Sequence, residues 1–183
     1  GVATVPYTNF PNGATSFGIP LVGGMLPPFT GNYFWVNEST GSDVGFGGSA
    51  DGPFKTLAFA LSQCVSGNND VIFMVGTQHT AATIAWNKDW THLVGVAAPG
   101  NNPRARISQT GSTVFTPLVN VTGQGCWFIN FSTFHGFANA STQICWTDGG
   151  GRNSYQGVQF LGMGNATAAA QAGSRSLLVT GST

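Results

Sequence analysis

The sequence predicts an all-β fold in which short parallel strands stack into a solenoid, and three observations carry the prediction. Charged residues make up 7% of the 183-residue chain, against about 25% in an ordinary soluble domain, while glycine alone supplies 27 positions. From Asp70 onward, apolar runs a few residues long are separated by turn residues. Those runs recur at irregular intervals of the size of a solenoid repeat. A chain so poor in charge solvates itself with Ser, Thr and Asn. That suits β architectures with many turns, and proteins whose surface is largely covered by neighbours.

The length allows one domain with a real core. Six basic and six acidic residues give zero net charge, a condition that promotes association. The basic residues Lys55, Lys88, Arg104, Arg106, Arg152 and Arg175 are scattered. No basic stripe is available to displace counterions, so nucleic acid is not an expected partner. No run approaches the roughly 18 apolar residues of a membrane span, and no signal peptide is visible at the N-terminus. Neither a membrane nor a cofactor is expected. Cys64, Cys126 and Cys145 are odd in number and lack CxxC spacing, so they read as small buried side chains.

Residues 1–32 form a segment of their own. It holds five prolines and no charged residue, a composition that forbids a helix and breaks any long strand. Yet Tyr7, Phe10, Phe17, Ile19, Leu21, Met25, Leu26 and Phe29 call for burial. An extended arm lying on another surface satisfies both facts, and that surface is either its own domain or a neighbouring subunit.

Residues 33–69 open with a short strand, Tyr33 to Val36, followed by a loop rich in Gly, Ser and Asp. Pro53 is well placed to begin a helix, since its missing N–H costs nothing in the first turn. Phe54, Leu57, Ala58, Leu61 and Val65 then share one face over 53–65, and Gly67-Asn68-Asn69 ends the helix.

Residues 70–183 supply the rungs. VIFMV (71–75) is apolar throughout, as strands buried on both faces of a parallel sheet are. ATIAW, THLVGV, ARIS, LVNV, CWFINF, QICWT, YQGVQF and SLLVT follow. Two classes of strand alternate. One contains Ile84-Trp86, Val119-Val121, Ile144-Trp146 and Leu178-Thr180, at intervals of 35, 25 and 34 residues between positions 84, 119, 144 and 178. The other contains His92-Val94, Trp127-Ile129 and Gln156-Val158, reached through the linkers NKDW, TGQG and DGGGR.

The stretch from Tyr33 to Ala60 resembles the opening segment of the pectate-lyase-like right-handed parallel β-helix families, on Asn37, Gly41, Ser42, Asp43, Pro53, Phe54, Thr56, Leu57 and Ala60, with Leu61 just beyond. The resemblance covers about 30 residues. It implies that the short helix plugs the N-terminal end of the solenoid and that VIFMV starts the first rung. The fold serves polysaccharide lyases, glycosidases, bacteriophage tailspikes and capsid-decorating proteins, so it does not by itself name a chemistry. Low charge, an apolar arm and Asn/Thr/Gly-rich rungs are most similar to the β-helical proteins of tailed-phage particles.

The acidic inventory argues against a self-contained enzyme. Glycosidases place two carboxylates about 5 to 9.5 Å apart, and after Asp89 the only acidic residue is Asp148. Lyase chemistry needs a cation for the uronate carboxylate and a base for the α-proton. Asp148 and Arg152 in TDGGGRN are the best pair for it, with Arg175 one rung away; the alternative is a solvated turn holding a local ion pair. Asp43 and Asp51 flank a Gly-rich loop able to offer oxygen ligands to calcium, although aspartate as a turn former and helix cap is commoner. His79, His92 and His135 share no metal-ligand spacing, so no metal is expected. Trp86, Trp127 and Trp146 sit among apolar neighbours and read as core, which leaves Trp90 as the exposed indole on which a sugar would stack.

These readings converge on a non-enzymatic structural subunit of a bacteriophage particle, a capsid decoration or spike protein on the virion surface. It acts through contacts with capsid proteins and with its own copies, and the phage resemblance implies a trimer. Two rivals stay open: a carbohydrate-active lyase or tailspike depolymerase, and a secreted extracellular adhesin that binds a glycan.

Overall fold

The computed structural model describes residues 30–97, 103–109, 114–135, 142–161 and 172–181, together with the backbone of 15–16 and 19–20. The protein is mostly β. Two short antiparallel strands, β1 (Thr15–Ser16) and β2 (Ile19–Pro20), lie in the N-terminal segment. The side chains assigned to the arm (Tyr7, Phe10, Phe17, Ile19, Leu21, Met25, Leu26 and Phe29) fall outside the described residues. Every later strand is parallel to its neighbours, in three sheets.

The first sheet holds β3 (Tyr33–Asn37), β4 (Val71–Val75), β7 (His92–Val96), β10 (Trp127–Ile129) and β13 (Ser154–Gln156). The second holds β5 (Thr77–Thr80), β8 (Arg106–Gln109), β11 (Ser132–Phe134) and β14 (Gln159–Leu161). The third holds β6 (Ile84–Trp86), β9 (Val119–Val121), β12 (Ile144–Asp148) and β15 (Arg175–Val179). The chain therefore visits first, second and third sheet in turn, and repeats that order through β4–β6, β7–β9, β10–β12 and β13–β15. This arrangement is compatible with an all-β parallel solenoid-like fold.

The two strand classes of the sequence are the third and first sheets, but their register differs in detail. Ile84 pairs with Val119, Val119 with Trp146 and Trp146 with Leu177, so the true intervals are 35, 27 and 31 residues. The second sheet corresponds to neither class. Its strands are short and largely polar, and some are continuous in sequence with the first. YQGVQF takes in parts of two strands bent at a corner, and CWFINF runs through β10 and its corner to the edge of β11: Asn130 (φ 56°) divides β10 from β11, and Gly157 (φ 64°) divides β13 from β14. Gly76 (φ 69°) does the same between β4 and β5. A single left-handed residue redirects the strand without a loop, and Gly and Asn are the residues that adopt that conformation most readily. Asn130 also donates from Nδ2 to the Gly95 carbonyl (3.1 Å) and the Ala97 carbonyl (2.8 Å), tying its corner to the one before.

The helix, α1 (Leu57–Gln63), is shorter than the sequence predicted. Pro53 does not begin it: the Pro53 carbonyl accepts from Ser42 N, and Phe54 forms a parallel bridge with Val36. Thr56 is the N-cap, accepting at Oγ1 from Phe59 N. Leu57, Ala60, Leu61 and Cys64 form the buried face at i, i+3, i+4 and i+7, while Ala58 and Val65 are exposed. Anchoring the pattern on Phe54, which lies outside the helix, rotated the predicted face. The loop before α1 also occupies the outer edge of β3: Trp35 N donates to Gly47 O, Phe54 N to Trp35 O and Asn37 N to Phe54 O. That covers an edge otherwise open to strand addition.

The core lies between the sheets and is closed at one end by α1, whose buried face packs with Ile72, Met74 and Ile84. Its centre is aromatic. Phe128 meets Trp86 edge-on at 5.3 Å, Trp146 edge-on at 4.9 Å and Tyr155 in a stack at 5.1 Å. Trp86 and Trp146 are core residues, as predicted. Trp127 is not: it packs with Val71, Val94, Ile129 and Phe73 in a second cluster on the opposite face of the first sheet. Cys64, Cys126 and Cys145 are free and buried, and burial pushes their thiols up to about 12, 11 and 11 respectively. No helix among the described residues is long and apolar enough to cross a membrane.

Replacing Asn130 separates backbone from side chain. Asn130→Gly keeps the left-handed corner and loses two hydrogen bonds, a cost of about 2 kcal/mol. Asn130→Ala adds a left-handed alanine and costs about 1 kcal/mol more. Urea denaturation of the two variants beside the parent checks the order.

Candidate functional site

Asp148, Arg152 and Trp90 all belong to the turns that carry the chain from the third sheet to the first. The linkers NKDW, TGQG and DGGGR look unrelated but are one turn repeated. Trp90 (φ 50°), Gly125 (φ 69°) and Arg152 (φ 61°) occupy the same left-handed position in successive copies. The copies stack through backbone bonds: Gly67 N donates to Asp89 O, Trp90 N to Gln124 O and Gly125 N to Gly151 O. Stacking explains a glycine: a Cβ at Gly150 would collide with the Gly123 carbonyl beside it.

Within this column the expected ion pair does not form. Among the described residues, the acid–base contact within 4 Å is that of His79 Nδ1 with Glu38 Oε2, at 2.9 Å. Asp148 stands at an inward position of β12, in register with Val121 and Val179, and is 5% exposed. Its Oδ2 accepts from the Tyr155 hydroxyl at 2.6 Å, and its Oδ1 from Asn153 Nδ2 at 2.9 Å and Gly150 N at 3.0 Å. The Tyr155 hydroxyl in turn accepts from Trp146 Nε1 at 2.9 Å. Burial first, and then the bond to Asp148, push the Tyr155 phenol well above its ordinary range. Arg152, carried outward by its left-handed backbone, is exposed.

Arg175 is no closer to the carboxylate. It pairs with Ile144, at the far end of β12 from Asp148, about 13 Å away at 3.3 Å per residue. Its Nη1 donates to the carbonyls of Ala172 and Ser174. The sequence therefore found the right turn and the wrong partners. Asn153 and Tyr155 complete the network; aligning the linkers on Trp90, Gly125 and Arg152 places Asn153 one position after the corner, where its Oδ1 accepts from Cys126 N at 2.8 Å.

The other nominated residues do local work. Asp43 Oδ1 accepts from Lys55 N and Thr56 N, both at 2.9 Å, and its Oδ2 from Thr56 Oγ1 at 2.8 Å, fastening the loop to the start of α1. Asp51 is exposed. No group of three or more His, Cys, Asp or Glu able to hold a metal occurs among the described residues. Trp90 is 43% exposed, with its ring over Gly125. Lys88, beside it, reaches the Ser62 and Cys64 carbonyls at the end of α1. Asp70 is fully buried and accepts three bonds of 2.7 Å, from Asn32 N, Val65 N and Asn68 Nδ2.

His92 is buried on the outward face of the first sheet. Its Nδ1 accepts from Trp127 N at 3.1 Å, which leaves the proton on Nε2, facing Asn69 Oδ1 at 3.4 Å. Burial lowers its pKa to about 4, against a smaller upward pull from Asp70. His135 is buried beside Phe115, and burial lowers its pKa as well.

Comparison with known proteins gives no match: no family model, no curated protein and no solved structure is similar to the chain.

Two outcomes follow from this geometry. Tyr155→Phe leaves Trp146 Nε1 and Asp148 Oδ2 each short of a partner and lowers stability by about 1–3 kcal/mol. Asp148→Asn costs a similar amount, and the double variant costs less than the sum, as a double-mutant cycle measures. The second outcome concerns pH. Between about 6.5 and about 4 the unfolded chain binds a proton at His92 that the folded chain does not, so stability falls as pH falls through that window. The slope is about 1.4 kcal/mol per pH unit from this group, or about 3 kcal/mol in all. His92→Gln, whose amide oxygen can still accept from Trp127 N, flattens the thermal-melting profile there relative to the parent.

Proposed function

We propose that the chain is a right-handed parallel β-helix serving as a non-enzymatic structural subunit on the surface of a bacteriophage particle, as a capsid decoration or spike protein. The observation that carries this reading is the use made of Asp148. The one acidic residue after Asp89 accepts from a phenol, an amide and a backbone N–H inside the core. A carboxylate so placed holds up a turn and has no cation beside it to orient a uronate. The right hand follows from the general handedness of parallel crossovers, about 98% of which turn that way. The phage assignment rests on the resemblance of the Tyr33–Ala60 stretch together with the low charge.

Surfaces for association are present. Val44 and Phe46 project from the Gly-rich loop, with Phe46 89% exposed. At the other end of the third sheet, β15 presents Leu177 and Val179 at inward-facing positions that are 37% and 65% exposed. Apolar groups and an unpaired strand edge invite pairing with another strand. In this reading the partners are copies of the chain, as a trimer, and other virion proteins.

One observation favours a second reading. Trp90 offers an exposed indole at a turn corner, which suits glycan binding without turnover by an extracellular adhesin. Glycan affinity lost in Trp90→Ala would select it.

The structural reading predicts a trimer whose mass, by light scattering after size exclusion, does not change on dilution. It also predicts no release of reducing ends or unsaturated products from acidic polysaccharides. A monomer that degrades such a polymer, and loses that activity in Arg152→Gly, would replace the structural reading with the depolymerase. Glycine suits the left-handed corner, as Gly125 does one turn earlier, so that variant tests the guanidinium and not the fold.

A further inference from the structure

The first sheet is apolar on both faces. Its inward residues, Val36, Ile72, Met74, Leu93 and Phe128, belong to the main core. Facing away from that core, Val71, Val94 and Ile129 are also buried and pack with Phe73 and Trp127. Pairing places these residues in two ladders across the strands. One runs Tyr33, Val71, His92, Trp127 and Ser154; the other runs Trp35, Phe73, Val94, Ile129 and Gln156. Tyr33 stacks on Phe73 at 6.0 Å, and Trp35 meets Phe73 at 4.9 Å. The ladders contain no Asp, Glu, Lys or Arg, and their one titratable base, His92, is held neutral by burial. Asn69 and Trp127 meet its ring nitrogens, and Asp70 acts on it through its charge. A parallel sheet apolar on both sides requires a cover on both sides.

We propose that the cover of the outer face is residues 1–29 of the same chain, docked in cis. The chain joins the described fold at Thr30, beside the start of the face: Gly31 N donates to Asn69 O, and Asn32 N to Asp70 Oδ1. Residues 1–29 carry no charge and supply Tyr7, Phe10, Phe17, Ile19, Leu21, Met25, Leu26 and Phe29, a complement to an uncharged aromatic surface. The reach suffices. Crossing five strands about 4.8 Å apart needs about 20 Å, or six to seven extended residues at about 3.3 Å each. Antiparallel pairing of β1 with β2 reverses the chain near residue 17, so two passes of ten or more residues are available. A tether this short gives the arm an effective concentration of the order of millimolar. The arm of a second copy would have to match that in free solution, which selects the arm's own domain as its partner. This inference does not depend on the proposed particle.

The test uses the full chain. Tyr33 or Trp127, on the outer face, is replaced by the photoreactive p-benzoylphenylalanine; Ala85, exposed on the third sheet, is replaced in a control. Each variant is unfolded in urea with an equal amount of nitrogen-15-labelled parent, refolded with it so that any oligomer holds both isotopes, irradiated and digested, and the linked peptides are identified by mass. The expected result is linkage from positions 33 and 127 to peptides within 1–29 carrying the same isotope, and none from position 85. Circular dichroism and melting temperature show that each variant has folded, and either outer-face position alone suffices. Links to labelled peptides would assign the cover to a second copy and overturn docking in cis. Links confined to residues beyond 30, or solvent addition alone, would overturn the arm as the cover.

Discussion

Each circuit of the chain closes because single residues with positive φ turn it, and the turns of successive circuits rest on one another. Asn130 and Gly157 redirect the chain from the first sheet to the second, and Trp90, Gly125 and Arg152 shape the return from the third sheet to the first. A bulky residue in this conformation costs of order 1–2 kcal/mol. Trp90 and Arg152 hold it because neighbouring turns bond through the backbone, on both sides of the Trp90 turn and from the preceding one at Arg152. The same stacking sets the register of the strands between, since parallel pairing has no hairpin to define it.

Given that register, the interior follows. Inward positions of the sheets line up, and one column of the third sheet reads Trp86, Val121, Asp148, Val179. A carboxylate in such a column must find donors or unfold the turn. Asn153 and Tyr155 supply them from the next strand and the turn before it, and Trp146 joins through the same hydroxyl. A polar network inside an aromatic core fixes which rings meet, because each donor has one acceptor in reach. Asp70 plays the same part where the opening strand, the end of α1 and β4 come together. Both aspartates thus serve the fold, which is why a low count of acidic residues is compatible with every one of these turns.

The sheets are not equivalent. The second and third face outward with residues such as Ser108 and Asn120, whereas the first carries aromatic and branched residues on both sides. One consequence is that the molecule has a direction across its section as well as along its length.

Read alone, the sequence determined the β class, the parallel strands, the helix before the rungs, and the core identity of Trp86 and Trp146. These depend on local composition and on short apolar runs, which a strand or helix expresses within its own length. Only the tertiary structure decided the second sheet, the rotation of the α1 face, the position of Trp127 on the outer side, and the inward turn of Asp148 away from Arg152. Those depend on pairing between residues 27 to 35 apart. A one-residue corner hides inside an apolar run, and the donors that draw a carboxylate inward lie on a strand and turn whose placement only the stacking of the chain supplies.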